Sequence, residues 1–430
     1  MYISQQIAAH AVSQVLSGRN LTLALPDAQK VFANATPQQR GAAADLSYGT
    51  LRFYGELEIY LNQLLEKPLS DGRVHALLLV ALYQLLHDKA DDFTVVNQAV
   101  TAASFAKPRW AKGLVNGVLR NFLRKKADIA QALQGNEVAQ YSYPQWWINK
   151  LKVQYPEKWQ RMLMVGNDHP PMTLRVNQQK VATTEYVQLL DRQGIVAQQI
   201  GPSAVMLTQA LPVEKIPGFT DGVVSVQDLG AQLAPQLLDM QAGMQVLDAC
   251  CAPGGKTGHI LETAAVNLTA IDSDELRLKR VASNLDRLSL KAQLKVGNAA
   301  NTQGWHDGQL YDRIVADVPC SASGIVRRHV DIKWLRRESD IVSFAQQQSA
   351  ILLNLWQLLA KGGKLLYVTC SIFNEENQQQ MDQFLATHAD ATQLPLDMTV
   401  CQQWGMTCEH GQLVPSLLHD GLFYALLQKN

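Results

Sequence analysis

Along the first 130 or so residues the apolar positions follow a helical rhythm. They recur at three- and four-residue spacing through Ala76-Leu77-Leu78-Leu79-Val80-Ala81-Leu82-Tyr83 and Val95-Val96-Asn97-Gln98-Ala99-Val100. Strand-like alternation is absent there, and Asp71-Gly72 and Lys107-Pro108 supply breaks between helices. The pattern changes near residue 140. Tyr141-Ser142-Tyr143-Pro144-Gln145-Trp146-Trp147 opens a segment in which Pro170-Pro171 precedes a strand-like Met172–Val176. From about residue 240, strand candidates Met244–Asp248, Leu268–Asp272, Gln293–Val296, Arg313–Asp317 and Lys364–Thr369 alternate with helical patterns at Lys256–Ala264, Glu275–Leu288 and Ile341–Ala360. That alternation predicts a parallel, doubly wound sheet. The expected organisation is a helical domain over 1–138, a small α/β connecting module over 139–225 and a Rossmann-like α/β domain over 226–430.

Composition narrows the function classes only slightly. Of 430 residues, 47% are hydrophobic and 18% charged, which suits packed cores rather than disorder. The formal net charge of zero means that a polyanion site must be a local patch. One candidate is Lys107–Lys126, with seven basic residues and no acidic one. A charge run of this kind is commonly a solvated helix face. Here it is one-signed and carries Trp110 and Phe122, and aromatic rings can stack on unpaired bases. The N-terminus does not resemble a signal peptide and no apolar run is long enough to span a bilayer, so a soluble cytoplasmic protein is expected. The six cysteines form no C-x-x-C pair and no His cluster stands near them. They are expected to be free thiols and no metal is implied.

In doubly wound sheets ligands bind beyond the carboxyl ends of the strands, so the residues that follow each strand carry the chemistry. After the first comes Asp248-Ala249-Cys250-Cys251-Ala252-Pro253-Gly254-Gly255-Lys256-Thr257. The glycines permit a tight turn, and the helix start offers N–H groups to an anion. A phosphate-binding P-loop would need glycine at Cys250. Asp272 closes the second strand, where an acid accepts from ribose hydroxyls; a helix cap is the plain alternative. Together the two fit a methyl donor or a nucleotide. The fourth strand runs into Asp317-Val318-Pro319-Cys320-Ser321 and the fifth into Thr369-Cys370-Ser371. Two thiols at strand ends of one sheet should face one cleft.

Asp-x-Pro-Cys after the fourth strand and Thr-Cys-Ser after the fifth resemble the RNA cytosine-C5 methyltransferase family. So do Pro319–His329, Asp331-Ile332-Lys333-Trp334, Val226-Gln227-Asp228 and Asp420-Gly421-Leu422-Phe423-Tyr424-Ala425. Arg40-Gly41, Tyr48-Gly49 and Gly113–Arg120 resemble a NusB-type RNA-binding domain. The resemblance covers nearly the whole chain. It implies S-adenosylmethionine as cofactor, held by Cys250, Cys251, Ala252, Pro253, Gly254, Gly255, Lys256, Asp272, Arg277, Asn298 and Asp317. It implies 16S ribosomal RNA as partner; a monomer acting without metal or membrane is expected. Asn298 departs from the pattern, which carries an acid there; an amide oxygen can still accept from adenine. The implied nucleophile is Cys370, with Cys320 serving product release. DNA cytosine methyltransferases attack from the Pro-Cys position instead, which keeps Cys320 as a rival. The attacking form is the thiolate, so a cation is expected beside it, with Lys256 the candidate. Asp317 is expected to engage the cytosine amino group or ring nitrogen. Candidate RNA-binding residues are Lys107, Arg109, Lys112, Arg120, Arg124, Arg327 and Arg328, with Lys333, Arg336 and Arg337 as further phosphate contacts. The remaining alternatives are a transfer-RNA methyltransferase, a non-catalytic ribosome-assembly factor and a small-molecule methyltransferase.

Overall fold

The computed structural model describes residues 2–88, 90–104, 110–397 and 399–430. Lys107 and Arg109 lie outside the described residues. The chain divides into two compact units: residues up to Asp168 together with Val326–Glu338, and His169–Ile325 together with Ser339–Asn430.

The first unit is helical. Its centre is Gly72–His87, whose positions Val74 and Ala76 to Leu85 are all buried. A helix apolar all round must be surrounded. Around it pack Tyr2–Leu16, Pro37–Arg52 and Asp92–Ser104. The break expected at Asp71-Gly72 is a cap: the Asp71 carboxylate accepts from the backbone N–H groups of Arg73 and Val74. Thr36 and Gln39 form a capping box at the start of Pro37–Arg52. The helices Glu137–Tyr141, Gln145–Gln154 and Trp159–Gly166 also belong to this unit.

Val326–Glu338 joins the same unit although it follows Cys320 by only a few residues. Lys333 is fully buried, and its ammonium donates to the carbonyls of Arg52 and Ser142 and to Asn167 Oδ1 at 2.7–2.8 Å. Trp334 Nε1 donates to Leu51 O, and Asp331 accepts from Leu21 N. Arg327 is buried and its carbonyl accepts from Arg52. Burial therefore overturns the expected phosphate contacts of Arg327 and Lys333, because reaching a phosphate would require unpacking the core. Phe122 is likewise interior, edge-on to Tyr60, and offers no face to a base. Lys112, Arg120 and Arg124 are exposed on Ala111–Ala132, whose apolar side Val115, Val118, Leu119 and Phe122 is buried.

The second unit holds two sheets. Strands β1 (Met172–Val176), β2 (Ala197–Gln199), β3 (Ala204–Leu207) and β4 (Val224–Val226) form an antiparallel sheet in the order β2-β3-β1-β4. Strands β5 (Gln245–Ala249), β6 (Asn267–Asp272), β7 (Gln293–Val296), β8 (Tyr311–Asp317) and β9 (Leu359–Thr369) are mutually parallel in the order β9-β8-β5-β6-β7. This is the expected Rossmann-like core. The sheet as a whole is mixed, because β13 (Leu422–Lys429) pairs antiparallel with β9 and adds β10 (Ala391–Leu394), β11 (Cys408–Glu409) and β12 (Gln412–Leu413). The sequence reading assigned no strand there. Residues 422–427 are all buried, so the segment shows no two-residue alternation to betray it.

The antiparallel sheet is joined to the helix Gly255–Thr263, which follows β5, at a buried charge pair. Arg175 of β1 is bidentate to Glu262 at 2.8 and 2.7 Å, and also donates to Gln227 Oε1 and to the Gly255 carbonyl. Arg175 thus holds the first turn of the helix that follows β5.

Candidate active site

Parallel register places the ends of β5, β8 and β9 side by side: Ala249 is opposite Ala316, and Asp317 opposite Val368. The residues that follow, Cys250, Cys320 and Cys370, therefore emerge on one sheet edge. The Cys320 and Cys370 sulfurs are 3.3 Å apart and share a hydrogen bond. Backbone bonds splice their loops together: Gly324 N–H donates to Cys370 O, and Gly421 N–H to Gly324 O. Gly324 has to be glycine, because a Cβ there would stand 2.1 Å from the Gly421 carbonyl. The Cys320 thiol is pushed well up, first by its hydrogen bond to Cys370 and then by burial. It stays protonated at neutral pH.

Lys256 lies beside this pair. Its ammonium donates to Asp317 Oδ2 at 2.7 Å. Burial works against its charge, but the attraction and hydrogen bond of Asp317 prevail, with a smaller contribution from Cys370, and the amine titrates above the ordinary lysine value. The structure thus brings together Lys256, Asp317, Cys320 and Cys370.

The loop after β5 turns tightly against the helix Glu275–Leu288. Gly254 has φ +95°, and a Cβ would come within 3.0 Å of Val281. Directly behind it the helix Gly255–Thr263 begins. Asp272 is buried. Its Oδ2 accepts from Ala252 N at 3.2 Å and its Oδ1 from Asp274 N at 3.0 Å, so it anchors the loop as well as lying where a ribose acceptor was expected. Arg277 donates to Ala252 O and approaches Asp272 to 3.6 Å. Cys251 and Ala252 are buried, and Pro253 is exposed on the same loop. Burial, then the carboxylates of Asp317, Asp272 and Asp248, push the Cys250 thiol to about 12, so this cysteine is inert. Asn298 is exposed and its side-chain oxygen accepts from Ala300 N.

Sequence reasoning missed Asp248 as a site residue. Its Oδ2 accepts from Thr257 Oγ1 at 2.6 Å, while its buried Oδ1 has no partner among the described residues. Burial raises its pKa to about 7; Thr257 and Lys256 oppose the shift, whereas Asp317 and Asp272 add to it. Its ordinary unfolded value is about 3.9, so between that and about 7 the unfolded chain binds fewer protons than the native one. Rising pH therefore costs stability across this window. Asp248→Asn should flatten that fall relative to wild type, as read by thermal unfolding from pH 5 to pH 8. Parallel curves would refute the burial argument. The signal in the sequence was an acid at the end of a fully buried strand.

Beneath the two thiols lies a second missed cluster, Ser321, Ser323, Ser371, Gln348 and Glu376, all buried. Among the described residues no group of three or more His, Cys, Asp or Glu side chains could hold a metal ion, and no helix is long and apolar enough to cross a membrane.

Residues 235–428 match the family model for 16S rRNA methyltransferase RsmB/F, 143–214 the RsmF/B-like ferredoxin-like domain, and 3–124 the NusB family. The chain is 42% identical over 438 residues to the ribosomal RNA small subunit methyltransferase B of Yersinia pestis bv. Antiqua (strain Angola), covering 100% of this chain and 99% of that protein. It is 40% identical over 435 residues to the protein of that name from Photorhabdus laumondii, again covering 100% and 99%. The crystal structure of PH0851 superposes with a TM-score of 0.82 at 22% identity, covering 100% of this chain and 99% of that one. A methyltransferase homolog from Pyrococcus horikoshii gives 0.59 at 24% identity, covering 69% of this chain and 98% of that one.

Proposed function

The chain belongs to the ribosomal RNA small subunit methyltransferase B family, and from that premise we propose that it methylates C5 of a cytosine in 16S ribosomal RNA, with S-adenosylmethionine as donor and Cys370 as covalent nucleophile. The observation that carries this reading is the pair of sulfurs 3.3 Å apart beside the Lys256–Asp317 ion pair.

The residues fit the cofactor. Asp248 Oδ1 is a buried acceptor with no partner among the described residues, beside the loop that opens the helix Gly255–Thr263. Residues 250–256 with Asp272, Arg277 and Asp317 would hold it; Asn298 would meet the adenine through its amide. When bound, it supplies an electrophilic sulfonium methyl group.

The remaining chemistry belongs to the chain. C5 of cytosine is a poor nucleophile. Addition of the Cys370 thiolate to C6 forms a C–S bond and pushes electron density onto C5, splitting one hard step into easier ones. Lys256 places a positive charge within electrostatic reach of Cys370. Asp317, bound through Oδ2 to Lys256, would accept a hydrogen bond from the amino group of the base. After methylation the C5 proton is lost to a base and the C6–S bond breaks by elimination. Cys320, held as a thiol, hydrogen-bonds the departing sulfur. The target base must be unpaired or flipped to reach this edge. The exposed Lys112, Arg120 and Arg124, with Lys107, Arg109 and Arg328, would contact phosphates.

The test is transfer of label from S-adenosylmethionine to unmodified 16S RNA, followed by digestion to nucleosides. Label is expected in 5-methylcytidine. Label in another nucleoside, or transfer to transfer RNA alone, would sink this reading.

A further inference from the structure

We propose that Glu376 is a positioning residue that ties the two thiol loops together and holds Cys320 in register for product release. This deepens the mechanism above and rests on it.

Glu376 sits in the turn Asn374–Glu376, six residues after Cys370. It is fully buried, yet it belongs to neither strand nor core helix. Its carboxylate collects four donors. Ser321 N–H reaches Oε1 at 2.7 Å and Ser321 Oγ reaches Oε2 at 2.5 Å. Ser371 Oγ also donates to Oε2. Gln348 Nε2 donates to Oε1 at 3.1 Å while also holding the Pro319 carbonyl at 3.0 Å. Ser321 directly follows Cys320, Pro319 directly precedes it, and Ser371 directly follows Cys370. One carboxylate thus grips both catalytic loops through the residues flanking the thiols. The turn itself is pinned from behind, because Tyr367 Oη donates to the Glu376 carbonyl.

The grip is uneven. Ser321 offers two bonds and Gln348 ties in Pro319, whereas the Cys370 loop offers Ser371 alone. The Gly324 backbone bond to the Cys370 carbonyl ties the same two loops together. The Cys320 side carries more of the bonds to Glu376, so release is expected to depend on Glu376 more than attack does. Burying a carboxylate is costly unless its oxygens are satisfied, and an inert core would do better with an apolar side chain. Burial raises its pKa, and the hydrogen bonds from Ser321, Ser371 and Gln348 oppose that rise.

The experiment uses the full chain with 16S RNA and follows both turnover and the covalent protein–RNA complex on denaturing gels. Glu376→Gln keeps the shape but sets an amide N–H₂ against two serine hydroxyls. A misplacement of about 1 Å can cost on the order of 10²-fold in rate. Turnover is expected to fall by about that factor, with KM for S-adenosylmethionine unchanged and the covalent complex enriched. Ser321→Ala should move the same way to a smaller extent, and carries the test if Glu376→Gln does not fold. Cys320→Ala is the reference. If it traps the complex but neither Glu376→Gln nor Ser321→Ala does, the positioning role is overturned. If Cys320→Ala traps nothing, the fault lies with the covalent mechanism itself. A loss of turnover with unchanged partition between complex and product would mark Glu376 as structural only, which also overturns the proposal.

Discussion

Cys370→Ala is expected to abolish methyl transfer and leave no covalent protein–RNA complex, whereas Cys320→Ala should accumulate that complex. Removing the nucleophile of a covalent enzyme costs on the order of 10⁶-fold in turnover. The two sulfurs share one hydrogen bond, so position alone does not say which attacks. Their environments do differ. Cys320 is buried, while Cys370 is partly accessible and within the field of Lys256. A buried thiol is a poor attacker and a good hydrogen-bond donor to a departing sulfur. Labelled S-adenosylmethionine and 16S RNA, resolved on denaturing gels, read both outcomes at once. A complex trapped by Cys370→Ala instead would transfer the nucleophile to Cys320.

The second large effect is on stability. Arg175→Met should destabilise the fold by about 3–5 kcal/mol, since it leaves the Glu262 carboxylate buried without its partner. The side chains are 1% and 4% exposed, so water cannot take over. Urea unfolding measures the loss. The double variant Arg175→Met/Glu262→Met should recover most of it, because apolar replacements of a buried pair are often neutral. The single variant should also bind S-adenosylmethionine more weakly, because Arg175 no longer holds the Gly255 carbonyl in the loop proposed to bind it. A single variant as stable as wild type would show that this contact between strand and helix is not a stabilising joint.

Much of this was legible beforehand. The helical period of Ala76–Tyr83 and the alternation of strands and helices after residue 240 set the fold class, because each element's apolar face must find a partner. The thiol motifs were legible too: residues at the ends of parallel strands are brought to one edge by the topology. Less legible was the fate of charged residues. Lys333 and Arg327 read as surface cations in a basic stretch. Only their burial shows that Lys333 bonds three protein oxygens and that Arg327 is covered. Phe122 looked available for stacking until the helix orientation turned it inward.

By itself the sequence determined the helical first unit, the parallel strand–helix alternation and the residue types delivered to the sheet edge, since local periodicity and parallel connection rules act on near neighbours in the chain. Tertiary structure alone decided that Val326–Glu338 packs with the helical unit, that β13 closes the sheet antiparallel, and that Arg175 and Glu376 reach 87 and 55 residues along the chain to their partners. Those contacts depend on which buried polar groups find one another across the fold. No periodicity encodes that, because a buried carboxylate and an exposed one are the same letter until the chain folds around them.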